Sequence, residues 1–394
     1  MAVPRSTFAS CSYQHLRIEL TANSHHKLRC SQHDFGPAMQ SEAFLRDVHE
    51  TLLRFCGCAT ASADRRPPVA YSRPKKAGCP TRGVMYYYCG TSKTPMEDNI
   101  LLAPFDDPTN LAKNVETGVV KGVAVTVHDG RVDNELMGRG TQPMRVLDTR
   151  GLLLQQHVSK VSDFWDEALV LSLHYPEMQR LSQELTKCDR TAVAAHALRG
   201  NKTEMGRPAA YFVHNDFSDR LKALYEDLIA SGDRNIITDA VSAGGLGVTS
   251  EQFKAGRLVV LNYWRPMQKE PIQRNPLAVI DSTTMQRSEV VQFPHYMRQA
   301  YGSFVKFFRI PTNPHVNVGI RPSDEHRWYY FPGMTRDEVL AFKNYDSSAP
   351  QPGNGIGMHT SFDDPNTPAS APSPRESIEI RVLCFWFGAG DGGR

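Results

Sequence analysis

The chain has 394 residues, of which 40% are hydrophobic and 22% charged, a composition typical of a globular protein with one large or two smaller domains. The formal charge of +3 is small for this length, and no basic run is interleaved with aromatic residues, so nucleic acid is not expected as a partner. No apolar run approaches the ~18 residues of a membrane span, and the N-terminus lacks the apolar core of a secretory signal. We therefore expect a cytoplasmic protein without a membrane partner.

The eight cysteines do not follow the pattern of a disulfide scaffold. Cys56 and Cys58 lack the two-residue gap of a zinc or redox knuckle, and Cys188 and Cys384 lie far apart in apolar or helical segments. Free thiols in a reducing compartment are the expected state.

The first 83 residues predict a poorly ordered leader that is rich in Ser, His, Arg and Pro. Apolar residues recur at helical spacing in one place, residues 41–53, so the leader contains at most one short helix. From residue 84 the pattern changes to that of a folded domain, which we assign to residues 84–394.

Residues 84–394 predict many short strands and few helices. Helical spacing predicts a helix at 163–187 that Pro176 interrupts, and a clear amphipathic helix at 221–229. The predicted strands are 84–88, 118–127, 191–198, 211–217, 257–264, 277–280, 290–293, 303–310, 327–331 and 375–387. The absence of β-α-β alternation favours a β-sandwich or barrel with flanking helices.

Three common enzyme classes lack their signature motifs. The chain has no glycine-rich dinucleotide fingerprint after a strand, no phosphate-binding loop and no nucleophile elbow of a serine hydrolase.

His214 and Asp216 are the first candidate site residues. Two residues apart on a predicted strand, their side chains project from one face. They supply two of the three ligands of the 2-His-1-carboxylate triad, which binds non-haem Fe(II) and leaves coordination positions open. His359 supplies a second histidine where a Gly-rich segment returns to extended chain. A pair of this kind also arises by chance, as a surface histidine near a capping aspartate.

The last predicted strand places Arg375 and Arg381 on one face together with Glu379. Arginines that point into a closed barrel are costly to bury unless they meet an anion, and the planar guanidinium suits a carboxylate. Either arginine could bind a dicarboxylate co-substrate. Alternatively, either could form an internal salt bridge to Glu376 or Glu379.

Six sequence blocks, in this order and spacing, resemble the CmcJ/AsaB-like hydroxylase and desaturase family between about residues 85 and 387. The blocks are residues 261–266 (LNYWRP), 275–281, 326–332 (HRWYYFP), 337–346, 359–365 (HTSFDDP) and 374–381 (PRESIEIR).

The resemblance implies an Fe(II)- and 2-oxoglutarate-dependent oxygenase that uses O2. The implied fold is mainly β with flanking helices around a double-stranded β-helix (jelly-roll or cupin-like) core. The iron ligands would be His214, Asp216 and His359. Arg375, with Arg381 as the weaker candidate, would bind the distal carboxylate of 2-oxoglutarate. The expected substrate is a small molecule of specialised metabolism that becomes hydroxylated or desaturated.

Four further residues are candidates for the substrate pocket: Trp264, Arg265, Trp328 and Tyr330. An aromatic residue on a strand packs in the core more often than it contacts substrate. Two other functions stay open at this point, a cupin-like metal-binding barrel without 2-oxoglutarate chemistry and a catalytically inactive binding protein. The sequence does not indicate an oligomeric state.

Overall fold

The computed structural model describes residues 12–13, 16–17, 78–89, 108–140, 142–200, 209–230, 245–295, 315–349, 357–372 and 374–388. The chain divides into two compact units, residues 1–67 and 68–394. The described part of the first unit is one antiparallel pair, β1 (Ser12–Tyr13) with β2 (Leu16–Arg17). The helix predicted at 41–53 and the strand predicted at 303–310 lie outside the described residues.

The second unit is dominated by two five-stranded sheets. The first sheet comprises β3 (Thr81–Tyr88), β4 (Val120–Asp129), β8 (Leu277–Ile280), β11 (Trp328–Tyr330) and β13 (His359–Ser361), in the order β13-β8-β11-β4-β3. The second sheet comprises β5 (Leu152–Gln156), β6 (Arg190–Arg199), β7 (Arg257–Pro266), β12 (Glu338–Asp346) and β14 (Ser377–Trp386), in the order β5-β12-β7-β14-β6. A separate antiparallel ribbon pairs β9 (Val290–His295) with β10 (His315–Ile320). All strand pairs in the two sheets are antiparallel except β4 with β11. The prediction of a mainly β fold is confirmed.

Helices flank these sheets, as predicted. They are α1 (Pro108–Glu116), α2 (Pro143–Thr149), α3 (Glu167–Leu169), α4 (Tyr175–Thr186), α5 (Leu221–Ala230) and α6 (Ser250–Ala255). None of the helices in the described part of the chain is both long and apolar enough to cross a membrane.

The helix predicted at 163–187 forms as a continuous run from α3 to α4 joined by a π-helical turn, Val170–His174. Pro176 does not interrupt the run. It follows directly on the π-helical turn, where the N–H of Tyr175 donates to the carbonyl of Val170, five residues back. Lys187 ends the helix with φ of 57°. The apolar face of α4 packs on the second sheet, where Ser182 donates a hydrogen bond to the Tyr263 hydroxyl at 2.8 Å.

The two faces of β7 have different surroundings, and this difference positions the site. Tyr263 and Arg265 point to the outer, helix-covered face, where they contact Ser182 and His157 respectively. Asn262 and Trp264 point the opposite way, towards the first sheet. Ring contact between Phe342 of β12 and His359 of β13, with centroids 4.8 Å apart, joins the inner faces of the two sheets.

The segment 211–217 is not the regular strand that its hydrophobic pattern predicted. It runs past three different neighbours and makes a single β-bridge to each, at Phe212 with Tyr86, His214 with His359 and Asn215 with Val318. Asp216 lies in a bend. Asn215 and Asp216 do not continue a ladder. The side-chain oxygen of Asn215 accepts a hydrogen bond from the backbone N–H of Phe217, and Asp216 accepts hydrogen bonds from the side chains of Asn262 and Asn344. The prediction of a strand was therefore wrong, although the chain is extended enough to present His214 to β13.

Candidate metal centre

A reciprocal backbone bridge brings His214 and His359 together across 145 positions of the chain. The N–H of His214 donates to the carbonyl of His359 at 3.2 Å, and the N–H of His359 donates to the carbonyl of His214 at 3.0 Å. The two imidazole rings lie side by side with centroids 4.4 Å apart. His359 is also the first residue of β13, so its position is fixed by the first sheet.

Asp216 completes a group of three potential ligand atoms that all lie within 4.8 Å of one another. Its Oδ1 is 3.7 Å from Nε2 of His214. Nδ1 of His214 lies 2.7 Å from the carbonyl of Phe212, so this nitrogen carries the proton and Nε2 presents its lone pair. The structure thus brings together the three residues that the sequence suggested as metal ligands.

The other carboxylate oxygen of Asp216 is held by three donors. Oδ2 accepts hydrogen bonds from Nδ2 of Asn262 at 3.0 Å, from Nδ2 of Asn344 at 2.7 Å and from Nε of Arg381 at 2.9 Å. These contacts orient the carboxylate and direct Oδ1 towards the histidines. Outer contacts of this kind fix the direction of a metal ligand and preserve its charge.

The electrostatics of the three residues suit a divalent cation. Burial, aided by the neighbouring His359, lowers the pKa of His214 to about 4, and burial lowers the pKa of His359 to about 4. Burial alone would raise the pKa of Asp216, but the charge of Arg381 and the two histidines outweigh burial and hold it well below its usual range. At neutral pH the group is therefore two neutral imidazoles and one carboxylate. Two imidazole nitrogens and one carboxylate oxygen are the ligands of the facial triad of non-haem Fe(II) sites.

A narrow cleft between the two sheets opens at these histidines. Leu277 and Ser361 line it from the first sheet, and Arg375 lies just before β14. The second sheet contributes Arg199, Trp264, Glu379 and Arg381. A concave site that combines a ligand group with a small number of polar side chains is typical of a small-molecule pocket.

Arg375 is a buried cation in this cleft, with only 4% of its surface exposed. One terminal nitrogen donates to the carbonyl of Asn275 and, at 2.9 Å, to the hydroxyl of Ser361. Its Nε has no partner among the described residues. Burial, together with the charge of Arg199, lowers the pKa of Arg375 to about 9. A cation in this setting gains from an anionic ligand.

Arg381 has different partners from Arg375. Its Nε donates to Asp216, and its terminal nitrogen lies 2.9 Å from Oε1 of Glu379. The internal salt bridge that the sequence left open as an alternative is thus present for Arg381. The guanidinium contacts the Asp216 carboxylate and, like Arg375, borders the cleft.

Sequence reasoning missed three residues that contact these side chains: Asn262, Asn344 and Ser361. The first two bind Asp216, and Ser361 binds Arg375. Spacing offered one signal, because Ser361 follows His359 by two residues in extended chain.

Of the four residues predicted for the substrate pocket, Trp264 lines the cleft and the other three do not. Arg265 lies on the opposite face of β7, where its guanidinium is 2.6 Å from Nδ1 of His157 and packs over Phe164. Trp328 and Tyr330 flank Tyr329 on β11 and pack with Ile280 on the outer face of the first sheet. Paired residues point to the same face of a sheet, and successive residues of a strand point to opposite faces. Val279 faces inwards with its partner His359, so Ile280 and its partner Trp328 face outwards.

Comparison with known proteins places the chain in a family. Residues 94–385 match the model of a family described as an oxidoreductase/YMDC permease-like domain. The hydroxylase/desaturase efuI of Hormonema carpetanum is 29% identical over 73% of this chain and 98% of its own length. An alpha-ketoglutarate-dependent dioxygenase, phiK, of Fungal sp. (strain ATCC 74256) is 23% identical over 60% of this chain and 78% of its own length.

A solved structure is also similar. It is that of the iron and alpha-ketoglutarate-dependent endoperoxidase NvfI, which is 21% identical and superimposes with a TM-score of 0.55 over 80% of this chain and 99% of the other. The predicted jelly-roll core and the predicted resemblance to the hydroxylase/desaturase family are confirmed.

Proposed function

Because the chain belongs to the oxidoreductase/YMDC permease-like domain family, we propose that it is an Fe(II)- and 2-oxoglutarate-dependent oxygenase. Its substrate is a small secondary metabolite, which it hydroxylates or desaturates. The related hydroxylase/desaturase and the alpha-ketoglutarate-dependent dioxygenase support this reaction class.

One observation carries the proposal. The ligand atoms of His214, Asp216 and His359 lie within 4.8 Å of one another on the same cleft that contains the buried guanidinium of Arg375. A metal-binding barrel without 2-oxoglutarate explains the ligand group but leaves the buried cation without an anion. An oxygenase explains both, because 2-oxoglutarate carries a second carboxylate.

His214, Asp216 and His359 would hold the iron, and Arg375 would bind the distal carboxylate of 2-oxoglutarate. When bound, Fe(II) would bind O2 and 2-oxoglutarate would supply two electrons for its activation, being oxidised to succinate and CO2, so that a substrate C–H bond can be oxidised. The protein contributes geometry: the bridge between His214 and His359 fixes the two imidazoles, and the donors around Asp216 fix the carboxylate. The deep position of the site between the sheets keeps water away from it.

The location and the extent of the domain are proposals as well. A cytoplasmic location is supported by the cysteines within the described ranges, Cys79, Cys89, Cys188 and Cys384, which are all unpaired thiols. We assign the oxygenase to residues 84–394, joined by Thr81, Arg82 and Gly83 as the start of β3, and treat the residues before them as a leader.

Anaerobic addition of Fe(II) and then 2-oxoglutarate to the purified protein tests this proposal. We expect a visible metal-to-ligand charge-transfer band that is absent in His214→Ala and weakened in Arg375→Met. Iron binding without the band would favour a cupin-like metal protein. A lack of iron binding would favour an inactive binding protein. Succinate release across a panel of candidate metabolites would then identify the substrate.

A further inference from the structure

Arg375 lies two residues before the first residue of β14, Ser377. The pairing of β14 with both β6 and β7 begins at Ser377. Ladder hydrogen bonds therefore do not hold the backbone of Arg375, and the direction of its long side chain depends on the groups that touch the guanidinium. These groups are the Asn275 carbonyl and the Ser361 hydroxyl at one nitrogen, and the ring of Trp264.

Trp264, in contrast, is fixed in the middle of the second sheet. It pairs with Leu340 on one side and Glu379 on the other, and 2% of its surface is exposed. The central carbon of the Arg375 guanidinium lies 5.2 Å from the centroid of its ring. A guanidinium stacks well on an indole, and the attraction is strongest where water is excluded.

We propose that Trp264 is a positioning residue for 2-oxoglutarate, whose ring holds the Arg375 guanidinium in the orientation that receives the distal carboxylate. This inference rests on the proposed function. Asn275 and Ser361 occupy one nitrogen of the fork, and the indole covers the guanidinium, so the other donors are left for a carboxylate. Holding the fork before the ligand arrives removes the entropic cost of ordering it on binding.

Asn275 contributes to the same arrangement. Its φ of 50° lies in the left-handed region, which is uncommon for a residue other than glycine. The side chain donates to Oδ1 of Asp363 at 2.6 Å, and this contact holds the unusual conformation that presents the carbonyl to Arg375. Backbone conformations of this kind concentrate at ligand sites.

The chain provides a matched control for Trp264. Trp328 is likewise fully buried on a strand. It lies on the outer face of the first sheet, away from the cleft. A Trp-to-Phe change at 264 and at 328 therefore removes the same atoms from two buried sites, of which one faces Arg375.

The experiment measures the affinity of the Fe(II)-loaded protein for two 2-oxo acids by the charge-transfer band, without oxygen. 2-Oxoglutarate carries the distal carboxylate, and pyruvate lacks it. We expect Trp264→Leu to weaken 2-oxoglutarate binding roughly tenfold or more, as the loss of a buried cation–π contact implies, and to leave pyruvate binding unchanged. Trp264→Phe, which keeps an aromatic face, has a smaller effect in the same direction. Trp328→Phe changes neither affinity.

The loss of 2-oxoglutarate affinity in Trp264→Leu must depend on Arg375. In an Arg375→Met background, we expect Trp264→Leu to cause no further loss of 2-oxoglutarate affinity, because the group that it positions is gone. Equal weakening of pyruvate and 2-oxoglutarate would overturn the inference in favour of a structural role. Unchanged 2-oxoglutarate affinity in both Trp264 variants would also overturn it. If Trp264→Leu does not fold, Trp264→Phe against Trp328→Phe decides.

Failure of this inference is distinguishable from failure of the proposed function. A wild-type protein that shows no charge-transfer band contradicts the proposed function. A wild-type band that depends on His214 and is indifferent to Trp264 contradicts the inference alone.

Discussion

Arg381 donates its Nε to Oδ2 of Asp216 at 2.9 Å, so the candidate metal-binding carboxylate is ion-paired before any metal arrives. Its terminal nitrogen contacts Glu379 on the same strand, and that carboxylate also accepts a hydrogen bond from Asn262. Asp216, Glu379, Arg381 and the side-chain amide of Asn262 therefore form one hydrogen-bonded network. The network keeps Asp216 ionised and leaves Oδ1 for the cation.

Loss of Arg381 is expected to weaken metal binding rather than the binding of 2-oxoglutarate. Arg381→Gln removes the charge beside Asp216, and we expect Fe(II) affinity to fall roughly 10- to 100-fold, the usual cost of losing a contact behind a metal ligand. Fe(II) titration measures the loss. At saturating Fe(II), the affinity for 2-oxoglutarate stays near the wild-type value. A variant with normal Fe(II) affinity and weak 2-oxoglutarate binding would instead assign Arg381 to the co-substrate.

Metal binding is expected to stabilise the fold, because the three ligands come from two segments that are distant in the chain. His214 and Asp216 lie between β6 and α5, whereas His359 begins β13. A ligand that binds only the folded state at a hundred times its dissociation constant adds about 2.7 kcal/mol to the free energy of unfolding. Thermal unfolding with and without Fe(II) under anaerobic conditions measures this. The shift should vanish in His359→Ala, and an equal shift in that variant would place the metal elsewhere.

Lys343 forms a second buried charge network, on the outer face of the second sheet. Its ammonium lies 2.7 Å from Asp148 and 2.9 Å from Asp346, and 1% of the side chain is exposed. Lys343→Met leaves Asp346 buried with Arg257 as its remaining cation. We expect a loss of roughly 3 kcal/mol in the free energy of unfolding, because the buried carboxylate of Asp346 loses one of its two cationic partners. Denaturant unfolding checks this value, and a loss below about 1 kcal/mol would show that Arg257 suffices.

The stability of the fold is expected to decrease as the pH falls from 6.5 to 4, in part because of His174. Burial lowers the pKa of His174 to about 4, with a smaller opposing effect from its contact with Glu177. Below pH 6.5 the unfolded chain binds a proton at this residue that the folded chain does not, so unfolding becomes easier. By pH 5 this proton uptake by the unfolded chain lowers the free energy of unfolding by about 2 kcal/mol relative to neutral pH.

The matched variant for this test is His174→Phe. It keeps a ring beside Phe164, which His174 contacts edge-to-face with centroids 5.1 Å apart. The free energy of unfolding of this variant should fall less steeply between pH 6.5 and 5 than that of the wild type. The other histidines are present in both proteins, so their effect cancels in the difference. Parallel curves would contradict the prediction.

The amino-acid sequence by itself determined the chemical character of the site. His214, Asp216, His359 and Arg375 carry it, and their residue types and order are visible without a structure. The helix at 221–229 and the strand that contains Arg381 also follow from local periodicity, because a repeat of 3.6 or 2 residues is a property of neighbouring positions.

The tertiary structure alone decided which side chains share the cleft. The sequence could not separate Trp264 from Trp328, because both are aromatic residues on strands, and which sheet face each one occupies depends on pairing with distant strands. Nor could it assign Arg381 to Asp216, since that ion pair joins residues 165 positions apart. Asn262 and Asn344 were missed for the same reason: a single amide has no local signature, and its role exists only once the two sheets bring it to the carboxylate.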